Sequence, residues 1–282
     1  MTVRLGFNLL LWTTHVTDEH WPIIEDLKAT GYDGVEIPMF EGNVQHYAAL
    51  GRRLKDAGLQ STGIGVMAGG SAISPDKAER AKALDHIKWL IDCTAAIGGD
   101  VCAGPLHQPL GEFAGRGPTE DEIAWCAEVH KQAARYAAQA GMKLSIEPLN
   151  RFECYFLNSM KQAEALVRRV DETNYGYLFD TFHSNIEDND VPALIGETID
   201  RINHVHISEN NRGVPGAGHV NFRGVIAALK KADYSGWMAI EAFGSALPDL
   251  AAATKIWRPI FDAETDVYSK GYRLMRDTWD AV

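Results

Sequence analysis

The sequence predicts an α/β chain closed into a (β/α)8 TIM barrel, one domain over residues 1–282 with a C-terminal helical extension. Eight short apolar runs alternate with segments of helical length, the pattern of parallel strands joined by right-handed crossovers. A chain of 282 residues and 31.0 kDa suits one closed barrel of about 250 residues and needs no second core. Four of the later runs stop on a carboxylate or an imidazole, where barrel strands reach an active face.

Taken in order, the strand-like runs lie near 3–8, 33–37, 59–66, 100–103, 142–147, 175–180, 202–207 and 236–241. In the fifth, Leu144 and Ile146 alternate with polar neighbours and Pro148 stops any helical continuation, so Glu147 stands where the strand gives out. The sixth runs through Tyr177, Leu178 and Phe179 into Asp180, the seventh through His204 and Val205 into His206, and the eighth from Trp237 into Glu241. The third helix is expected to start with Ser74 as cap and Pro75 in its first turn. Its apolar stripe is Leu84, Ile87, Leu90 and Ile91, and Gly98-Gly99 ends it. The fourth opens on a capping box, Thr119 to Glu122, with Ile123, Ala127, Ala134 and Ala138 facing one way. The only long irregular connections are expected at about 104–118 and 208–220, on the active face. Beyond the eighth strand, Trp257, Phe261, Tyr268, Tyr272 and Trp279 imply a closing helix with either a subunit contact or packing on the parent barrel.

Composition narrows the function. With 46% hydrophobic and 23% charged residues the chain is neither disordered nor a membrane protein. A net charge of −11 argues against a nucleic-acid partner, which would call for clustered Lys and Arg. The first residues show no signal-peptide pattern and no run approaches the ~20 apolar residues of a membrane span, so a cytoplasmic protein with no membrane partner is expected. Cys93, Cys102, Cys126 and Cys154 are too far apart for a zinc pattern and read as reduced, mostly buried thiols. Gly63-Ile64-Gly65 near Gly69-Gly70 lacks the spacing of a dinucleotide fingerprint, so no nicotinamide cofactor is expected.

Glu147, Asp180, His206 and Glu241 close four successive strands and should converge on one rim of the barrel. Three carboxylates and an imidazole suit one hard or borderline divalent ion per subunit, Mn²⁺ first, with Co²⁺ or Mg²⁺ as alternatives. A lone Asp or His at a strand end is as often a cap or a paired core group, but that account does not extend to four together. Two glutamates across a metal also offer acid–base chemistry. One can remove a proton beside a metal-held carbonyl and the other return one to the opposite face.

Several stretches together resemble the ketose 3-epimerases, the D-tagatose, D-psicose (allulose) and L-ribulose 3-epimerase group of the xylose-isomerase-like barrels. They are Ile146 to Glu153 with Asn150-Arg151-Phe152-Glu153, Phe179 to Glu187 with Asp180-Thr181-Phe182-His183, His204 to His206 with Glu209 to Arg212, and Ile240-Glu241. The resemblance covers nearly the whole chain and is densest from Glu147 to Glu241. It implies that Glu147, Asp180, His206 and Glu241 bind the metal and that Glu147 and Glu241 are the catalytic proton-transfer pair. It further implies that Glu153, His183 and Arg212 bind the substrate's oxygens. The substrate would be a free ketose, L-ribulose, D-tagatose, D-psicose or D-fructose, inverted at carbon 3 through a cis-enediolate, and the assembly a homodimer or homotetramer.

Competing readings stay in view. An aldose–ketose isomerase or hydroxypyruvate isomerase would move a proton between carbons 1 and 2 on the same scaffold, and a dehydratase would lose water. A barrel nuclease of the endonuclease IV type would want more His ligands and a basic groove. A non-catalytic sugar-binding barrel would not need both Glu147 and Glu241. Without the resemblance, Arg212 would read as a surface charge and His183 as a cap. Phe7, Trp12 and Phe243 could pack on the apolar edge of a sugar, although an aromatic at a strand end is at least as often core, and His107 and Gln108 sit where the sugar's far end would lie.

Overall fold

A computed structural model describes residues 3–282, and the expected strands are all present, shifted by no more than two residues at either end. The chain runs β1 (Arg4–Asn8), α1 (Trp21–Thr30), β2 (Gly34–Pro38), α2 (Val44–Asp56), β3 (Gln60–Ile64), α3 (Lys77–Ala96), β4 (Val101–Gly104) and α4 (Glu120–Ala138). It continues with β5 (Lys143–Ile146), α5 (Met160–Val170), β6 (Tyr175–Asp180), α6 (Thr181–Glu187), α7 (Val191–Thr198), β7 (Ile202–Ile207) and α8 (Phe222–Lys231). β8 (Trp237–Ile240), α9 (Pro248–Thr254) and α10 (Glu264–Ala281) complete it. The strands are parallel in chain order, and β1 closes on β8 with Arg4 opposite Trp237 and Phe7 opposite Ile240.

Alternation along each strand sends every second side chain into the barrel. The outward set, including Leu5, Phe7, Val35 and Ile37, packs under the helices, and a smaller cluster with Ile64, Val101, Ala103, Leu178 and Trp237 fills the interior. Trp237 stops the lower end: its Nε1 donates to Asp100 Oδ1 at 3.0 Å and the Arg4 guanidinium lies 4.4 Å over its ring. Room for that indole comes from Gly34, where a Cβ would sit 2.7 Å from Trp237 and 2.3 Å from the Gln60 carbonyl. Higher in the barrel, register stacks polar residues in layers. Asn8 pairs with Glu36 and Glu36 with Thr62, while Asp180 lies opposite His206 and His206 opposite Ala239.

Helix boundaries follow side-chain capping more closely than the sequence reading allows. α3 begins at Lys77 with Asp76 as its cap, accepting the Ala78 N–H at 2.8 Å, and Ser74 serves one turn earlier by accepting the Asp76 N–H. The expected start at Ser74 and Pro75 is therefore early, because an ST-type turn precedes the true cap. The α4 capping box forms as expected between Thr119 and Glu122. Its buried arc, however, is centred on Cys126, His130, Ala133, Ala134 and Ala137, so Ile123 stands at one border and Ala138 is exposed. All four cysteines are buried and unbridged.

Of the C-terminal aromatics, four pack on the parent barrel. Tyr32 Oη donates to the Tyr268 carbonyl at 2.7 Å, Tyr32 and Tyr272 meet edge to face, Trp279 is buried and Phe261 lies against the core. Trp257 alone stands out, 74% exposed. No helix among the described residues is long and apolar enough to cross a membrane.

Long connections on the active face are more numerous than the two expected: 65–76 and 147–159 join 105–119 and 208–221, and 241–263 is interrupted only by the short α9. They are organised by side chains, which leave no periodic signal. Gln108 Nε2 donates to the Glu112 carbonyl at 2.7 Å while its Oε1 accepts the Phe156 N–H at 3.2 Å, lacing the loop after β4 to the loop after β5. Glu122 makes the second tie, accepting from both Arg116 Nη atoms at 2.8 and 3.0 Å and from Tyr155 Oη at 2.8 Å. The Arg116 guanidinium and the other donors outweigh burial and hold the Glu122 carboxyl down at about 2. A depressed carboxyl contributes stability above its unfolded pKa and loses it as pH falls towards the folded one. Glu122→Gln should therefore lower stability by about 1–3 kcal/mol at pH 7, and by clearly less at pH 3, read from urea unfolding of both proteins at each pH.

Candidate active site

Four strand ends build the site. Asp180 closes β6 and caps α6, its Oδ1 accepting the Phe182 N–H at 2.7 Å, which leaves Oδ2 for other partners. Glu147 and Glu241 directly follow β5 and β8, and His206 points inward from β7. Each offers a ligand atom within 4.8 Å of the other three, and all four side chains are buried. Glu153, His183, Arg212, Glu147 and Glu241 line one cavity of about 250 Å³ that opens among these loops. Asp180 and His206 lie outside that lining.

Three carboxylates this close must be neutralised. Burial pushes Glu147 well above the usual carboxylate range, and the nearby Glu241 adds to it. Burial also lifts Asp180 to about 6 although Arg212 pulls the other way. For Glu241, His206 and Arg212 outweigh burial and hold the carboxyl low, and in return Glu241 and Glu36 outweigh burial and hold the His206 imidazolium well above its usual range. His206 Nδ1 lies 3.5 Å from Glu241 Oε1 and 4.0 Å from Asp180 Oδ2 and has no hydrogen-bond partner among the described residues. An unpartnered imidazole nitrogen facing three carboxylates is the donor set of a divalent cation, so these residues fit the ion the sequence implies.

Arg212 is a buried charge, contrary to its surface reading. The guanidinium lies 3.8 Å over the Phe182 ring, and Nη1 donates to Asp180 Oδ2 at 2.8 Å, Glu241 Oε2 at 2.8 Å and Ser208 Oγ at 2.9 Å. Its backbone sits at φ 62°, a left-handed conformation that a residue with a side chain holds at some cost. His183 is neutral, its pKa held well below the usual value by burial and by Arg212. The Asn150 backbone N–H donates to His183 Nδ1 at 3.0 Å, so the ring proton belongs on Nε2. Arg212 Nη2 stands 3.0 Å from that same Nε2, donor against donor. An oxygen placed between them would accept from both.

The remaining assignments divide. Phe243 lines the cavity, whereas Phe7 is buried in the outer core with Trp12 tilted against it, 5.1 Å between centroids, and neither reaches the lining. His107 and Gln108 are also buried outside the lining, because Gln108 is spent on joining two loops and His107 packs against Phe156. In their place Leu10, Phe40, Ile64 and Val66 face the cavity. Three polar residues were not anticipated. Asn8 Nδ2 donates to Glu241 Oε1 at 3.0 Å, Asn150 Nδ2 donates to Glu153 Oε1 at 2.7 Å, and Glu36 Oε1 lies 2.6 Å from His206 Nε2. A charged Glu36 between Val35 and Ile37 in a buried strand is the one signal that could have marked its role.

Comparison with known proteins agrees with this geometry. Residues 24–276 match the family model described as xylose isomerase-like TIM barrel. The L-ribulose 3-epimerase of Mesorhizobium japonicum is 30% identical over 262 residues, covering 92% of this chain and 88% of the relative. That of a Methylomonas species is 29% identical over 252 residues, 88% of each chain. The structure of an L-ribulose 3-epimerase superposes with a TM-score of 0.91 at 26% identity, covering 99% of this chain and 95% of the other. Since the match extends through every strand end that carries a ligand-type residue, the chain belongs to the xylose isomerase-like TIM barrel family, among its ketose 3-epimerases, and is a carbohydrate epimerase.

Proposed function

We propose that this chain is a divalent-metal-dependent ketose 3-epimerase that inverts carbon 3 of free ketoses, with L-ribulose first among the candidates and D-tagatose, D-psicose and D-fructose beside it. One observation carries the reading. Of the four clustered ligand residues, only Glu147 and Glu241 also line the cavity, so two carboxylates from opposite ends of the β5–β8 arc face whatever occupies it. L-ribulose and D-psicose 3-epimerases among the relatives support the substrate class. Size and charge favour a small, unphosphorylated sugar. A cavity of about 250 Å³ lies below the usual range for ligand sites, and its one cationic lining residue, Arg212, is already engaged by Asp180 and Glu241.

Glu147, Asp180, His206 and Glu241 would hold the metal, Mn²⁺ by preference for an oxygen-rich set with one imidazole, with Co²⁺ or Mg²⁺ as alternatives. A bound divalent cation supplies charge that polarises the ketose carbonyl and stabilises the enediolate. The chain's own residues do the rest. Either glutamate takes the carbon-3 proton from its side, and the other delivers one from the opposite side, the roles exchanging with direction. His183 Nε2–H and Arg212 Nη2 donate to an oxygen between them that gains charge, which relieves their mutual opposition. Glu153, fixed by Asn150, accepts from a substrate hydroxyl. We read the protein as a single-domain cytoplasmic enzyme acting as a homodimer or homotetramer, and the exposed Trp257 supports a subunit contact.

Proton NMR in D₂O with L-ribulose or D-fructose tests the chemistry. Deuterium should enter carbon 3 as the 3-epimer appears, and Glu147→Gln and Glu241→Gln should each slow this by about 10²–10⁴-fold. Label at carbon 1 or 2 with an aldose product would make the protein an aldose–ketose isomerase instead.

Metal affinity should depend on pH. Protons compete with the cation for Glu147 and Asp180, both raised by burial, and for His206, held protonated by Glu241 and Glu36, so the apparent Mn²⁺ affinity should climb through about pH 6 and keep climbing above pH 7. Calorimetric titrations at three pH values read it, and a flat profile would contradict the ligand assignment.

A further inference from the structure

We infer that Glu36 is a positioning residue for the metal site, fixing His206 in the tautomer whose Nδ1 lone pair faces Glu147, Asp180 and Glu241. The inference rests on the metal reading proposed above and assigns a residue from the far side of the barrel. Glu36 lies in β2, across the interior from β7, and is completely buried. A carboxylate at that depth is tolerated only when its oxygens are engaged. Oε2 accepts from Thr62 Oγ1 at 2.9 Å and Oε1 meets His206 Nε2 at 2.6 Å, the short distance of a charge-assisted contact.

The consequence for His206 follows from what each group can donate. An ionised carboxylate only accepts, so the Nε2 it touches must carry a proton, and when the imidazolium gives up one proton to a cation the nitrogen left bare is the other one. That other nitrogen is Nδ1, without a partner among the described residues and 3.5 Å from Glu241 Oε1. A carboxylate behind a ligating imidazole also locks the ring plane and increases its basicity. Here the lock is rigid on both sides, since Glu36 and Thr62 are register partners in adjacent strands.

His204 sharpens the assignment. Two residues before His206 and on the same inward face, it brings Nε2 within 2.7 Å of Glu36 Oε2, yet neither of its ring nitrogens makes a hydrogen bond among the described residues. The well-directed bond that Glu36 accepts therefore comes from His206. Glu36, His204 and His206 also lie close enough to hold an ion themselves, but that ion would have to displace the Nε2 proton that orients His206. The two arrangements differ in stoichiometry.

Mn²⁺ titrated calorimetrically into the full chain, with thermal unfolding in chelator recorded beside it, is the test. The wild type should take up one ion per chain. Glu36→Gln keeps the shape and an acceptor for the Nε2 proton but removes the charge, and should bind Mn²⁺ about 10–100-fold more weakly with no fall in the unfolding midpoint. Equal affinity would overturn the inference, and so would two ions per wild-type chain. No uptake by the wild type would remove the metal reading itself. Nitrogen-15 NMR of the Mg²⁺-loaded wild type needs no variant: His206 should carry its proton on Nε2, and a proton on Nδ1 would sink the assignment.

Discussion

Three carboxylates gathered within one small volume at the mouth of the barrel are the constraint on which the rest depends. Two like charges about 4 Å apart repel by roughly 4 kcal/mol at the effective dielectric of a protein site. The chain meets that repulsion with opposite charge and with donors. Arg212 places one Nη between Asp180 and Glu241, His206 adds a second positive group, and Asn8 donates to the remaining Glu241 oxygen. Glu147 has no cation as near as that among the described residues, the neutral His183 standing with Nε2 3.7 Å from its Oε1, and burial with the neighbouring Glu241 raises its pKa. The same crowding that is costly to fold is what a divalent cation can exploit.

Such a cluster keeps its geometry only if the loops around it are held. The loops after β4 and β5 are pinned to each other through Gln108 and Glu122, and the second of them carries Glu153 and the Asn150 that orients both Glu153 and His183. Phe182 and Phe243 sandwich the Arg212 guanidinium at 3.8 and 5.0 Å. The positions of the groups facing the cavity are thus set by neighbours that do not touch a ligand, which is the support a precise site requires.

Much of this was legible in the sequence, and the boundary is physical. Strand ends announce themselves because alternation breaks where a ligand residue stands, so Glu147, Asp180, His206 and Glu241 could be read one at a time and converge on barrel symmetry alone. Local capping is partly legible: Thr119 with Glu122 was, while Asp76 was masked by the turn that Ser74 makes ahead of it. Cross-strand partners were not. Asn8 and Glu36 matter through register with strands some 170 to 230 residues away, and no local pattern encodes that. Phe7 and Trp12 took the core alternative and His107 packed inside its loop for the converse reason, since a residue near a strand end can face the helices or the loop interior as easily as the cavity.

The cavity's charged side chains and His183 come from β5 to β8 and their loops, while β1 to β4 present only Leu10, Phe40, Ile64, Gly65, Val66, Pro105 and Leu110; Leu149, Phe243, Leu250 and Ala253 from the second half complete the apolar wall. The charged groups are therefore written in the second half of the gene alone, and much of the wall that fits a ligand in the first. Drift in the first half can reshape much of the apolar wall, provided Asn8 and Glu36 are kept, without disturbing the cluster of Glu147, Asp180, His206 and Glu241. A lineage built this way can diversify its substrates while its reaction stays fixed, and the two halves can evolve at different rates.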